Sequence, residues 1–471
     1  MTHTALVLFR RDLRLDDNPA WSAACSENAR VVPVYVHAPD EDGAWSPGAA
    51  SRWWLHHSLA RLDSRLRASG GYLHLCAGDS LAALCALIAQ TGATAVHWNR
   101  LYEPASIARD TRLKTALRDR GIEVSSHNAA LWSEPWDVAT QQGGPYKVFT
   151  PYWRNLRSRL AATTPLPSPA GVRFAPTSGS LPLEALKLLP RFDWAGGLAE
   201  NWQPGESGAH EMLEIFADDA VGDYVRLRDL PARHGTSRLS PHLHFGEISP
   251  RQIHFELDRR AYQSNARQRP DIEPLLRQLG WRDFAHHLLF HFPTTPTESF
   301  NPRFAGFRWA DADAASLDRW QRGRTGIPLV DAGMRELWHT GWMHNRVRMI
   351  VASFLTKNLR QHWFNGARWF WDTLVDADLA NNTLGWQWVA GCGADAAPYF
   401  RVFNPVTQAR KFDPDGHYLR RWLPELAQAA GGVLHEPWKD IGLLRRSGYP
   451  APMVDLGASR QQALDAYARR A

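Results

Sequence analysis

The chain has 471 residues, 44% of them hydrophobic and 22% charged, with a formal charge of +6. That globular balance excludes a disordered, collagenous or coiled-coil protein. No run approaches the roughly 18 consecutive apolar residues of a membrane span, and the basic excess is compatible with a polyanionic partner without demanding one.

The first 130 residues alternate short apolar runs with amphipathic stretches. Ala5–Phe9 and Val31–Val36 read as strands. Ser51–Ala68 reads as a helix, with Trp54, Leu55, Leu59 and Leu62 near helical spacing. Tyr72–Cys76 is the next strand, Leu81–Gln90 a helix, Ala95–Trp98 a buried strand and Ala105–Arg118 a helix. This β-α repetition predicts a parallel, doubly wound sheet covered on both faces. Residues 163–190 carry six prolines and predict an irregular surface connection. Beyond Asn201 helical periodicity dominates, so the second half is expected to be all helical. The predicted organisation is an α/β domain over 1–130, a linker over 131–200 and a helical domain over 201–471.

Arginines directly follow the short apolar run of MTHTALVLFRRDLRL, unlike a signal peptide, so a cytoplasmic location is expected. Cys25, Cys76, Cys85 and Cys392 form no CxxC pair and no metal-ligand spacing; reduced, mostly buried thiols are expected. Twenty-two tryptophans exceed ordinary core needs, since each buried indole N–H wants an acceptor. Stacking on flat ligands and electron transfer are the other uses.

Gly391–Ala396 matches the GxGxxA dinucleotide string, but it sits in the helical half and Pro398 follows. His286, His287 and His291 have no cysteine or carboxylate at matching spacing, which favours packing over zinc. Gly235–Pro241 contains Thr236, Ser237, Arg238 and Ser240, which suit a helix cap or a phosphate site. Asn345, Arg348 and Met349 share one helical face, a poor core pattern and a reasonable pocket wall. Asp376, Asp378, Asn381, Asn382, Trp386 and Trp388 crowd polar and aromatic groups into about four turns, a conflict that a buried polar ligand would resolve.

These blocks, with Phe9–Leu15, Asp17-Asn18, Trp281–Phe284, Thr325–Ala332, Trp342–Met349 and the run 376–404, closely resemble the photolyase/cryptochrome family over essentially the whole chain. Bacterial photolyases acting on cyclobutane pyrimidine dimers, including the plant-cryptochrome-like branch, are the nearest resemblance. The resemblance implies an α/β antenna domain and a helical FAD domain. It implies that Tyr224 and Thr236, Ser237, Arg238, Leu239 and Ser240 hold the diphosphate. Asp376 and Asp378 would contact the ribityl and adenine side, Arg348 would pair with Asp376 beside the flavin, and Asn382 would face flavin N5. Trp386, Trp363 and Trp309 match an electron-hopping chain. Trp281 and Trp388 match an aromatic wall for a flipped dimer, with Asn345 and Met349 as further pocket positions and Arg346, Arg401 and Arg228 on phosphates.

The family's dimer-repairing members usually carry Glu where this chain has Gln278, which cannot supply a proton or a full charge. The expected function is therefore a blue-light DNA photolyase on UV-damaged DNA, with weakened or single-strand-preferring repair. The alternative is a cryptochrome-like photoreceptor that keeps flavin photoreduction and has lost repair. A second antenna chromophore (folate, deazaflavin or flavin) is expected in the first domain. Trp53, Trp54 and Tyr102 could stack on it or belong to the core. A monomer and no metal are expected.

Overall fold

The computed structural model describes residues 3–263, 270–311, 313–396 and 400–469. Five parallel strands form one sheet: β1 (Thr4–Phe9), β2 (Arg30–His37), β3 (His74–Ala77), β4 (Ala95–Asn99) and β5 (Glu123–His127), in the order β3-β2-β1-β4-β5. Parallel neighbours need crossovers. These are α1 (Pro19–Glu27), α2 (Ala49–Ala68), α3 (Ser80–Thr91) and α4 (Pro104–Arg118). Central β1 is buried along its whole length. One core holds Leu6, Leu8, Val34, Leu84, Val96, Trp98 and Leu113.

Each predicted strand and helix of this half is present. The periodicity reading lacked α1 and β5. α1 is only nine residues long, started by Pro19 and capped by Asn18. β5 reads EVSSH, an edge strand with one buried residue, Val124, and too little apolar content to announce itself. The N-terminal signature residues build the end of β1. Asp12 accepts from the Arg10 backbone N–H and from Asn99 Nδ2, both at 2.6 Å. Arg14 is buried and donates to the carbonyls of Asp17, Gly246 and Ala129. Burial pulls its pKa down to about 10.

The proline-rich connection has no regular element before the short turn at Leu183–Leu186. It is nevertheless pinned to the sheet. The Val31 N–H donates to Arg173 O at 2.9 Å and the Ala175 N–H to Val31 O at 3.0 Å. Phe174 seats on Gly71, where a Cβ would meet its ring at 2.3 Å. A side chain at position 71 would unseat this anchor.

After the sheet, no strand occurs among the described residues and helices continue to Ala468. The chain divides into two compact units, Met1–Gly222 with Ser237–Pro293, and Asp223–Thr236 with Thr294–Ala471. No described helix is long and apolar enough to cross a membrane.

Several local expectations meet a definite outcome. The cysteines are free thiols, but only Cys392 is buried and the other three are half-buried, which corrects the expected burial. Gly391 is the left-handed C-cap of a helix, with no strand before it; Pro398 lies outside the described residues. His287 donates to Pro135 O at 2.8 Å and accepts from the Tyr146 N–H at 3.0 Å. His286 and His291 also bond to carbonyls, of Arg282 and Pro135. Trp53, Trp54 and Tyr102 are core residues. Trp54 donates to Glu247 and Tyr102 to Glu134.

Asp283 carries a pH signature. One carboxylate oxygen accepts from the Trp132 N–H at 2.9 Å, while Oδ1 has no partner among the described residues. Burial pushes this carboxyl from 3.8 up to about 6. The folded state then holds a proton that the unfolded chain has released. Asp283 therefore costs stability as pH rises from about 4 to 6, by about 3 kcal/mol for two units. Relative to wild type, Asp283→Asn should gain that amount across this window, read as the difference between two urea titrations at each pH. A pH-independent difference would refute the shift.

Candidate FAD and electron-transfer site

The site residues of the first unit lie on the helix Glu273–His291 and in the segment before Ser240. Gln278 and Trp281, three residues apart, share a face of that helix. The Trp281 ring stacks on Phe149, with centroids 3.7 Å apart and planes 11° from parallel. Phe149 opens the helix α5 (Phe149–Arg157), and the Arg277 guanidinium lies 4.9 Å from its ring. Trp281 thus has one face backed by another aromatic. Phe149 was not among the sequence candidates; its place at the head of FTPYW, with strong amphipathic spacing, was the available signal. Gln278 donates from Nε2 to Pro274 O at 3.3 Å, one turn back.

Ser237–Ser240 does not form the expected side-chain cap. The helix Ser240–His244 has Leu239 at its cap position and no side-chain cap bond. Pro241 occupies the first turn, so one of the N–H groups a hydroxyl would cap is missing. Arg238 takes a left-handed backbone (φ 51°) and lays its guanidinium 4.2 Å over the Trp202 ring. Leu239 is buried and Ser240 exposed.

In the second unit, the helix Asn345–Ser353 starts at a histidine cap, His344 accepting from the Arg346 N–H. Burial lowers the His344 pKa to about 4, so the cap stays neutral at physiological pH. One turn on, Arg348 donates to both oxygens of Asp376 at 2.9 and 3.1 Å and to Met343 O at 2.7 Å. The Asp376 side chain is 4% exposed and that of Arg348 24%. Asp378 caps the helix Leu379–Ala390, accepting from Asn381 N–H and Nδ2 at 2.8 and 2.7 Å. Asn382 donates from Nδ2 to Ala367 O at 3.0 Å, which leaves its carbonyl oxygen to accept.

Trp386 follows one turn after Asn382 and is 3% exposed. It meets Phe370 at 4.9 Å and Trp320 at 6.2 Å, both edge-on. Gly366 makes the approach possible, since a Cβ there would sit 2.0 Å from the indole. Trp363 is 1% exposed and its N–H has no partner among the described residues. Trp309 is half-buried. The ring of His362 lies 5.0 Å from Trp309 and 5.5 Å from Trp363.

The remaining second-unit candidates differ in engagement. Tyr224 is buried, with the Arg228 guanidinium 5.3 Å from its ring. Thr236 is half-buried. Arg346 bonds Asp229 at 2.8 Å and lies over Phe412, an arrangement any phosphate would have to compete with. Asn345 and Arg401 are exposed, Met349 and Trp388 half-buried, and Trp388 donates to Asp395 O at 3.0 Å.

A paired buried carboxylate, a second acid at a helix start, an amide with its oxygen presented and clustered indoles form a donor set that fits FAD. Acceptors for ribose and ribityl hydroxyls and a cation for an electron-rich ring are both present. The class so defined is a flavoprotein whose sheet unit is joined to a helical, tryptophan-rich unit. The family model described as DNA photolyase matches residues 5–170, and that described as FAD binding domain of DNA photolyase matches residues 275–469. A deoxyribodipyrimidine photo-lyase of Agrobacterium fabrum is 47% identical, covering 99% of this chain and 98% of the relative. Cryptochrome-2 of Arabidopsis thaliana is 39% identical, covering 100% and 79%. The crystal structure of a bacterial class III photolyase from Agrobacterium tumefaciens superposes with a TM-score of 0.94 at 45% identity, covering 100% and 98%. The chain belongs to the photolyase/cryptochrome family.

Proposed function

We propose that this protein is a light-driven lyase that splits cyclobutane pyrimidine dimers in UV-damaged DNA. The observation that carries the reading is Trp281, backed by Phe149 and sharing a helix face with Gln278: a flat platform with a hydrogen-bonding amide beside it, suited to a flipped pyrimidine dimer. Bound FAD supplies the photochemistry: in its reduced form it donates an electron on blue-light excitation. The protein's residues bind and position. Arg348, held by Asp376, places a cation for the flavin ring. Asn382 offers an acceptor oxygen for the N–H at flavin N5. Tyr224 and residues 236–240 serve the diphosphate, and Trp388, Asn345 and Met349 serve the substrate. Arg228, Arg346 and Arg401 serve the phosphates, and Trp386, Trp363 and Trp309 supply electrons. Soluble action in the cytoplasm as a monomer belongs to the same reading. A single-strand preference has no support in the described residues, and none is proposed.

The test is illumination of the chemically reduced protein with dimer-containing duplex and single-stranded oligonucleotides, with a dark control. Repaired dimers in the lit sample alone are the expected result. Retained flavin photoreduction without repair of either substrate would replace the lyase reading with the photoreceptor one.

Gln278 sets the yield of that reaction. As negative charge builds on a pyrimidine carbonyl, an amide offers only a neutral N–H; one of the two on Gln278 Nε2 is given to Pro274 O and the other is left for the substrate. A carboxylic acid at 278 would share a proton with the charge instead, and charge-assisted bonds are roughly twice as strong. Gln278→Glu should raise dimers repaired per absorbed photon by about tenfold, equal to about 1.4 kcal/mol. Equal yields at saturating DNA would show that Gln278 is not limiting.

A further inference from the structure

We propose that His362 is a positioning residue of the tryptophan chain, its neutral ring bridging Trp363 and Trp309 and its protonation closing that path. The inference rests on the reading of Trp386, Trp363 and Trp309 as an electron chain.

The geometry is specific to this ring. His362 stands at the cap position of the helix Trp363–Thr373, and its Nδ1 accepts from the Phe364 N–H at 3.2 Å. A backbone N–H can bond only an unprotonated nitrogen, so the capping ring is neutral with its hydrogen on Nε2. The same ring touches both indoles, 5.0 Å from Trp309 and 5.5 Å from Trp363. Two bonds clamp the Trp309 segment alongside: the Ala310 N–H donates to Arg360 O at 2.8 Å, and Gln361 Nε2 to Asp311 O at 3.2 Å. The imidazole is thus aromatic bridge and helix cap at once.

The step it serves moves one electron. Trp309 is oxidised by one electron and the Trp363 radical cation is reduced by one. An external thiol then refills Trp309. A proton added to His362 has two effects. It takes the lone pair that accepts from Phe364, so the cap is lost and a cation faces a helix N-terminus. It also sets a positive charge at nearly equal distance from both indoles. The electron vacancy is then disfavoured on Trp363 and on Trp309 alike and stays on Trp386, where charge recombination ends it. The charged side chains on the flanking segments are Arg308, Asp311, Arg360 and Arg368. None of them shifts the ring; burial alone holds its pKa below the ordinary 6.5. The path is therefore open at neutral pH and closes on acidification.

The experiment is transient absorption of the tryptophan radical in the oxidised, FAD-loaded protein between pH 5 and 8.5. The wild type should lose at least threefold in long-lived radical yield as pH falls, with a midpoint below 6.5. His362→Asn keeps a capping side chain but has no titration and no aromatic bridge. It should show a flat pH profile and a several-fold slower arrival of the vacancy at Trp309. His362→Phe restores the bridge without the proton, and should recover the rate while keeping the flat profile. FAD content and thermal melting check each variant's fold, and either variant alone decides the pH question. An unchanged pH profile in the variant that folds would overturn the inference. If instead Trp363→Phe and Trp309→Phe leave the radical kinetics untouched, it is the electron chain itself that fails.

Discussion

Replacing Trp386 with phenylalanine should cut light-driven reduction of protein-bound FAD by about 100-fold or more, a barrier of at least about 2.7 kcal/mol. A phenyl ring is far harder to oxidise than an indole, so the first member of the proposed chain can no longer give up an electron. The substitution also removes part of a side chain 3% exposed, wedged between Phe370, Trp320 and Gly366. A cavity there costs about 1–3 kcal/mol of stability. The FAD-to-protein ratio must therefore be measured with the photoreduction rate. Repair by dithionite-reduced protein separates electron supply from lyase chemistry, because chemical reduction bypasses the chain. Photoreduction at the wild-type rate would show that electrons enter elsewhere.

How much of this was legible in the sequence depended on whether a residue's role is local. The strands of the sheet announce themselves because a strand buried on both faces must be apolar throughout, as in Ala5–Phe9. The edge strand β5 does not, since its neighbour on one side only asks for Val124. Among the candidate site residues, Asp376, Asn382 and Trp386 were singled out because they crowd one short stretch with groups that conflict unless a ligand intervenes. Phe149 and His362 were not. Phe149 lies 132 positions before Trp281 (281 − 149), and no periodicity links them; only folding stacks their rings. His362 is a cap by its position, and nothing in the sequence says that the same ring also faces Trp309. The failed cap at Ser237–Ser240 is the opposite case: the right residue types occur, but Pro241 follows and Leu239 takes the position.

The Arg348–Asp376 pair should separate stability from cofactor binding. Arg348→Ala leaves a carboxylate 4% exposed with its bidentate partner gone. Breaking a buried pair costs about 3–5 kcal/mol. Arg348 is itself 24% exposed, so water partly screens the loss and about 3 kcal/mol is the better expectation. FAD should be lost with it, because the cation proposed for the flavin ring has gone. Adding Asp376→Asn to Arg348→Ala removes the charge that has lost its guanidinium while keeping the side chain's shape. The double variant should regain about 2 kcal/mol of the lost stability, since a buried amide without the guanidinium costs less than a buried charge without it. It should not regain FAD, because an amide cannot stand in for the guanidinium. Urea unfolding of the FAD-free proteins reads the first effect, and FAD retained on gel filtration reads the second. If stability and FAD return together, Arg348 serves the cofactor only by holding the fold. If neither returns, Asp376 is required as a charge in its own right, beyond its bond to Arg348.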